Sequence, residues 1–241
     1  MHKRLLYSIS ILILLGCSKD EKQRANHSEN FNKANYMEKT INTKLKTIGI
    51  LIFEGFLTNE VIAPLDVFAK TDADGKPLFN VILIAKENKS YISEEGLRVL
   101  PDFMLDKTPA LNVLVVPSSY HPEEQTKDSI LSNYIRDQYK NLDYIASHCA
   151  GAFLIGKSGI ADNKKIVTYV TGGEILKKEY PKLNVMDDSK VSVVLDANII
   201  SSNGSLVSYI ASLDLLEKMT SKAHRKYVEE QLLLSRLTSN N

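Results

Sequence analysis

Four short apolar runs, each followed by a turn and a more polar segment, constrain this chain more than any other feature. They are KTIGILIF (residues 46–53), LFNVILIAK (78–86), ALNVLVVP (110–117) and LDYIASH (142–148). None shows the in–out alternation of a half-exposed strand, and each is too short for a helix of ordinary length. They read as strands buried on both faces. Such strands belong to a parallel sheet covered by helices, and the segments between them supply the helices. LTNEVIAPLDVFAK (57–70) puts Val61, Leu65 and Phe68 at helical spacing, with Thr58 or Asn59 as cap. Pro64 within it predicts a kink or a late start. PEEQTKDSILSNYIRDQYKN (122–141) reads as one amphipathic helix with Ile130, Leu131, Tyr134 and Ile135 on its apolar side.

The remaining segments fit the same alternation. SYISEEGLRVLPD (90–102) reads as a hairpin turning at Glu95-Gly96. AGAFLIGKSG (150–159) is a small-residue helix stopped near Gly159. KKIVTYV is a short strand, TGGEILKKEYP a helix closed by Pro181, and KVSVVLDANIISS a pair of short strands around Asp196-Ala197-Asn198. SLVSYIASLDLLEKM (205–219) is a strongly apolar helix, and 223–237 a further amphipathic one. Right-handed crossovers assemble this order into a single doubly wound, flavodoxin-like α/β sandwich with a mostly parallel sheet. Ligands of such sheets bind outside the carboxyl ends of the strands. That rule selects the loops at 54–59, 117–122, 148–151 and 169–173.

The ends are of another kind. MHKRLLYSISILILLGC opens with basic residues and a short apolar run, too short for the ~20 residues that a membrane span needs. This is the form of a secretory signal peptide, residues 1–16. Leu14-Leu15-Gly16-Cys17 resembles the lipobox of bacterial lipoproteins, which implies cleavage before Cys17, lipidation of Cys17 and anchoring to a membrane of the cell envelope. Residues 17–44 are polar, rich in Lys, Glu and Asn, and read as a flexible tether. Residues 45–241 then form the folded domain, long enough for a sizeable core.

Composition narrows the function. A net charge of +1 offers no nucleic-acid footprint. No His, Cys and Glu spacing resembles a zinc site, and no glycine-rich phosphate loop appears, so neither metal nor cofactor is expected. Of the two cysteines, the lipobox resemblance assigns Cys17 to a lipid, which would leave Cys149 without a disulfide partner.

Cys149 stands where a buried strand turns abruptly into a helix, in YIASHCAGAF. This is the pattern of a nucleophile elbow, which lifts a side chain above the sheet while Gly151 lets the helix pack closely. Free amides and the dipole at the helix start favour thiolate. The same pattern also fits a small buried apolar residue.

IASHCAGAFLIGKSGIADNKKIVTY (145–169) resembles the nucleophile segment of the DJ-1/PfpI superfamily. IGILIFEGFLTNEVIAPLDVF (48–68) is similar to that family's opening strand and helix, LNVLVVPSS (111–119) to its third long strand, and DANIISSNGSLVSYIASLDLLEKM (196–219) to its closing strand and helix. The branch it most resembles holds the isonitrile hydratases and the ligand domains of AraC-type regulators. The resemblance implies that Cys149 is the reactive cysteine and that Glu60 is the acid contacting it, a role that competes with that of a first-turn dipole carboxylate. It further implies a pocket and oxyanion site of Ala150, Ser118, Ser119 and Tyr169, a small-molecule ligand and a homodimer.

Five positions depart from the family pattern. Tyr169 stands where many members carry histidine, Ala150 where isonitrile hydratases carry threonine, and Pro117-Ser118-Ser119 where Pro-Gly-Gly is usual. Ile210 replaces a usual acid. His224-Arg225-Lys226 lacks the late His-x-Glu of glutaminases, so amide transfer is not expected. Two other histidines bear on the site. His148 reads as a satisfied, partly buried histidine. His121, in the loop after the third strand, reads either as a surface residue or as a neighbour of the elbow. Two functions remain: an enzyme of hydratase, hydrolase or glyoxalase type acting on a small electrophile, or a non-catalytic module that binds a small molecule or senses oxidants.

Overall fold

The computed structural model describes residues 39–238. Strand β1 (Lys46–Leu51) leads into α1 (Thr58–Ala69) and β2 (Phe79–Ala85). A hairpin of β3 (Tyr91–Ile92) and β4 (Arg98–Val99) precedes β5 (Phe103–Met104) and β6 (Val113–Val116). Helices α2 (Pro122–Lys127) and α3 (Ser129–Tyr139) lead to β7 (Tyr144–His148) and α4 (Gly151–Ser158). Next come β8 (Lys165–Ile166), α5 (Gly173–Glu179) and β9 (Asn184–Val185). Then β10 (Val193–Asp196), β11 (Ile199–Ser202), α6 (Val207–Met219), α7 (Lys222–Gln231) and α8 (Ser235–Thr238) complete the order.

The expected sandwich forms. Seven strands run in the order β10-β11-β7-β6-β1-β2-β5, and only the β10–β11 pair is antiparallel. Ile48, Ile50, Leu114, Ile145 and Ile199 are fully buried, and each such side chain contributes about 1.5–3 kcal/mol of hydrophobic stabilisation. From β1 the chain moves outward to β2 and β5, then returns to lay β6 on the other side of β1. The topological switch point therefore lies between β1 and β6. The loops leaving β1, β6, β7 and β11 meet above four adjacent strands.

Several local expectations are corrected. Neither Thr58 nor Asn59 caps α1: Leu57 holds the cap position, and Glu95 Oε2 takes both the Thr58 amide (3.0 Å) and hydroxyl (2.5 Å). Pro64 neither delays the helix nor ends it. It removes one helical amide, the one that would meet the Glu60 carbonyl, and burial of Val61, Phe68 and Pro64 itself outweighs that loss. Residues 122–141 form two helices, because extended Asp128 breaks the run and its carboxylate caps the Ile130 amide at 2.9 Å. The break resets the helical phase and leaves Ile130 exposed. β8 pairs only with β9, outside the main sheet. The tail is divided by Leu233 at φ 57.

The folded unit also reaches back to Lys39 rather than starting at residue 45. Lys39 Nζ donates to the Val81 carbonyl at 2.6 Å and pairs with Asp102, while Asn42 and Asn80 exchange hydrogen bonds of 3.0 Å. Lys39 and Asn42 thus strap this segment to the sheet. Residues 1–38, which hold Cys17, the segment read as a signal peptide and most of the segment read as a tether, lie outside the described residues. No helix among the described residues is long and apolar enough to cross a membrane.

Candidate active site

β7 ends at His148, and the next residue reverses the chain. Cys149 sits at φ 51, in the left-handed region, which costs a residue with a side chain about 1–2 kcal/mol. Three contacts impose it. The Cys149 amide donates to the Ser202 carbonyl at 2.8 Å, extending the β7–β11 ladder by one rung. The Thr168 hydroxyl donates to the Cys149 carbonyl at 2.9 Å. A Cβ on Gly151 would lie 2.5 Å from the Val116 carbonyl oxygen, so glycine alone lets α4 start over the end of β6.

Glu60, in the first turn of α1, is fully buried. Its Oε2 accepts the Ser118 amide at 2.6 Å. Its Oε1 meets no donor at full hydrogen-bonding geometry, although the Cys149 thiol and the Ser205 amide lie close enough to act on the carboxyl, and it stands with Cys149 around Gly204. A Cβ on Gly204 would stand 2.4 Å from both Glu60 Oε1 and Cys149 Cβ, so the acid and the thiol close on each other around a bare backbone. Burial pushes Glu60 up to about 7, against the lowering pull of Ser118, the Ser205 amide and the Cys149 thiol. Burial, then the Glu60 charge, pushes the Cys149 thiol up to about 12, and the Ala150 amide only moderates the rise.

The helix start therefore does not make this thiol acidic, contrary to the sequence expectation. α4 is a single short helix, and removing sulfur from water beside a carboxylate outweighs its dipole. The two acids instead titrate as a pair that holds one proton between them. Oε2 is occupied by Ser118, so Oε1 is the oxygen that accepts the thiol proton or returns it to sulfur.

The other residues singled out by the sequence divide. Ala150 is buried at the start of α4, its amide turned to the sulfur. Ser118 is buried with its hydroxyl beside both acids, opposing both shifts, yet it meets no partner at hydrogen-bonding geometry. Tyr169 lies half-buried, stacked on Phe153 with ring centroids 6.3 Å apart, and senses the charge of Cys149. Ser119 is buried, but its hydroxyl donates to Gln125 Oε1 at 2.5 Å rather than to the thiol. His121 is not brought to the elbow: its side chain is 66% exposed and its Nδ1 lies 3.5 Å from Glu123. His148 is wholly buried rather than partly so, and only its Nδ1 is satisfied, 2.8 Å from Ser202 Oγ. Burial pushes it down to about 3, so it is neutral and no base.

Ser202, Thr168 and Gly204 are contacts that sequence reasoning missed. Asn203-Gly204 was legible as a turn dipeptide at a strand exit, but no spacing says that it faces Cys149. No cluster of three or more potential metal ligands occurs among the described residues.

Comparison with known proteins agrees with this architecture. The DJ-1/PfpI family matches residues 46–231. An isonitrile hydratase of Pseudomonas putida is 25% identical over 185 residues, 77% of each chain. The crystal structure of a ThiJ/PfpI family protein from Pseudomonas syringae superposes with a TM-score of 0.70 at 16% identity, over 87% of this chain and 85% of that one. An AraC family transcriptional regulator from Pseudomonas putida gives 0.64 at 17% identity, over 78% and 99%.

Proposed function

This chain belongs to the DJ-1/PfpI family, and from that premise we propose that Cys149 and Glu60 add water to a small electrophilic carbon by way of a thiol adduct. One observation carries the reading: a buried carboxyl oxygen, Glu60 Oε1, which meets no donor at full hydrogen-bonding geometry, is set against Cys149, whose thiol acts on the carboxyl. A group in that position exchanges its proton with the sulfur rather than with solvent.

For an isonitrile, sulfur bonds to the terminal carbon and the thiol proton passes through Glu60 to that same carbon, giving a thioimidate. Water then adds to the carbon and a proton goes to nitrogen. The carbon–sulfur bond breaks, sulfur regains its proton through Glu60, and a formamide leaves. At an aldehyde the sulfur adds to the carbonyl carbon and Glu60 passes the thiol proton to its oxygen, giving a hemithioacetal; at an activated acyl carbon the sulfur displaces the leaving group, which departs with the proton, and water then releases the acid from the thioester and returns the thiol. Ala150, in place of threonine, adds no hydroxyl beside the sulfur.

A second reading, a binding or thiol-sensing module without turnover, is favoured by one observation. Neither the His148 nor the His121 ring serves the sulfur: one is committed to Ser202 and the other lies at the surface. The full chain, Cys149→Ala and Glu60→Gln should be assayed with an isonitrile, an aldehyde and an activated ester. Turnover of one substrate that is lost in both variants supports hydration. Binding without turnover, or a sulfenate on Cys149 that forms with mild peroxide and is reversed by added thiol, supports the second reading.

We also propose that a lipid on Cys17 holds the protein at the cell envelope. Leu14 to Cys17, after a basic and apolar start, supports this. Cys17→Ala should move the protein to the soluble fraction, and a variant that stays membrane-bound and labelled by palmitate would refute it. The implied homodimer is checked by sedimentation of the same soluble variant.

A further inference from the structure

Ser202 is bonded at both ends to the residues that frame the acid pair. Its carbonyl accepts the Cys149 amide at 2.8 Å. Its hydroxyl oxygen accepts the Gly204 amide at 3.3 Å and stands 2.8 Å from His148 Nδ1. Gly204, at φ +86, packs against both acids without a side chain: a Cβ there would stand 2.4 Å from Cys149 Cβ and from Glu60 Oε1. A single serine thus holds the thiol's backbone on one side and the glycine packed against both acids on the other.

The hydrogen-bond roles follow from the donors available. Ser202 has one hydroxyl proton, and its oxygen already accepts from Gly204. A neutral His148 whose Nδ1 accepts that proton satisfies all three groups. The ring then carries its proton on Nε2, which is buried and has no partner. Leaving a buried polar atom unpartnered is unfavourable, so the ring is kept in place for its other nitrogen. His148 lies one residue before the nucleophile and in the wall of the sheet, with no access to solvent or sulfur chemistry.

We propose that His148 and Ser202 are positioning residues: the buried ring orients the Ser202 hydroxyl, which seats Gly204 and thereby fixes the contact between Glu60 and Cys149. His148 is neither base nor ligand. Loosening this network leaves both acids present but lets them separate, so that each titrates alone. The inference rests on the reading of Cys149 and Glu60 as a pair, and its test separates the two.

The test is the pH dependence of iodoacetamide labelling of the full chain, read on the Cys149 peptide by mass spectrometry. In the wild type, labelling rises with the pair's first ionisation, near the Glu60 value of about 7, because one of the two one-proton arrangements carries thiolate. A solitary buried thiol shows no such step. Tyr169, the other titratable group facing the sulfur, is held above its ordinary value by burial and is silent near neutrality. Glu60→Gln should abolish the step. His148→Leu and Ser202→Ala should each reduce its amplitude at least about fivefold, the scale of one net hydrogen bond. His148→Asn, which places an amide oxygen where Nδ1 stood, should restore the amplitude to within about twofold of wild type.

If His148→Leu and Ser202→Ala keep the step, the positioning role is refuted. If His148→Asn behaves like His148→Leu, the ring acts through its volume, and the proposal fails again. Ser202→Ala removes a single oxygen and covers the case in which a ring replacement misfolds. If Glu60→Gln keeps the step, it is the pair itself that fails.

Discussion

Ser118 clamps the start of α1 with both of its backbone groups: its amide donates to Glu60 Oε2 at 2.6 Å, and its carbonyl accepts the Leu57 amide at 2.8 Å. The two bonds cross the switch point between β1 and β6. They explain why a carboxylate in a first helical turn points inward, away from the solvent that usually surrounds such groups.

The burial of Glu60 makes stability depend on pH. Its ordinary value is 4.5, and in the folded chain it is about 7. Between those values the folded chain keeps a proton that the unfolded chain has released, so stability falls as pH rises through this window. The full effect is roughly 3 kcal/mol, reached above the folded value. Glu60→Gln removes the dependence. Relative to wild type it should gain stability from pH 5 to pH 8 in urea melts. An equal difference at both pH values would show that no buried carboxyl titrates here.

The elbow conformation predicts an inverted order of two small substitutions. Glycine ordinarily costs about 0.5–1 kcal/mol against alanine, but at φ 51 it relieves strain of about 1–2 kcal/mol. Cys149→Gly should therefore melt at or above Cys149→Ala. A clearly lower melting temperature for glycine would mean that the turn relaxes when sulfur is removed.

Gly204→Ala should damage both fold and site. The new Cβ would meet Cys149 and Glu60 at 2.4 Å, at a φ of +86, and the combined strain and overpacking cost about 1–3 kcal/mol. The neutral step in Cys149 labelling should vanish with it. Gly159→Ala is the control: φ is +74 but the space is empty, so it should lose only about 1 kcal/mol and leave the thiol profile unchanged.

The strap makes the boundary of the domain measurable. Removing residues 1–38 leaves the Lys39 and Asn42 contacts in place, whereas removing 1–44 deletes the bonds to Val81, Asp102 and Asn80. The longer deletion should be the less stable by about 1–3 kcal/mol, in line with a few part-buried hydrogen bonds. Equal melting temperatures would return these residues to the tether.

His121→Ala should leave the labelling profile of Cys149 as in wild type, because the ring stands at the surface beside Glu123. A shifted profile would place this loop over the elbow.

The sequence by itself determined the architecture. Runs such as KTIGILIF and ALNVLVVP cannot avoid burial on both faces, and their alternation with helical segments leaves few topologies other than a doubly wound sheet. The elbow was equally legible, since His148-Cys149-Ala150-Gly151 sits where strand period gives way to helix. The relation between Cys149 and Glu60 was visible only through family resemblance, because nothing local links residues 89 positions apart. Only the tertiary structure decided the rest. It turned His121 outward and His148 inward, set Asp128 as a break rather than a surface charge, and drew Lys39 onto the sheet. It also decided the acidity of the thiol. Helix position, which can be read from sequence, argues for thiolate. Desolvation argues against it, and desolvation depends on what the remainder of the chain stacks around the sulfur. Gly204 shows the same limit: a glycine after an asparagine reads as a turn, and only the fold packs that turn against two acids.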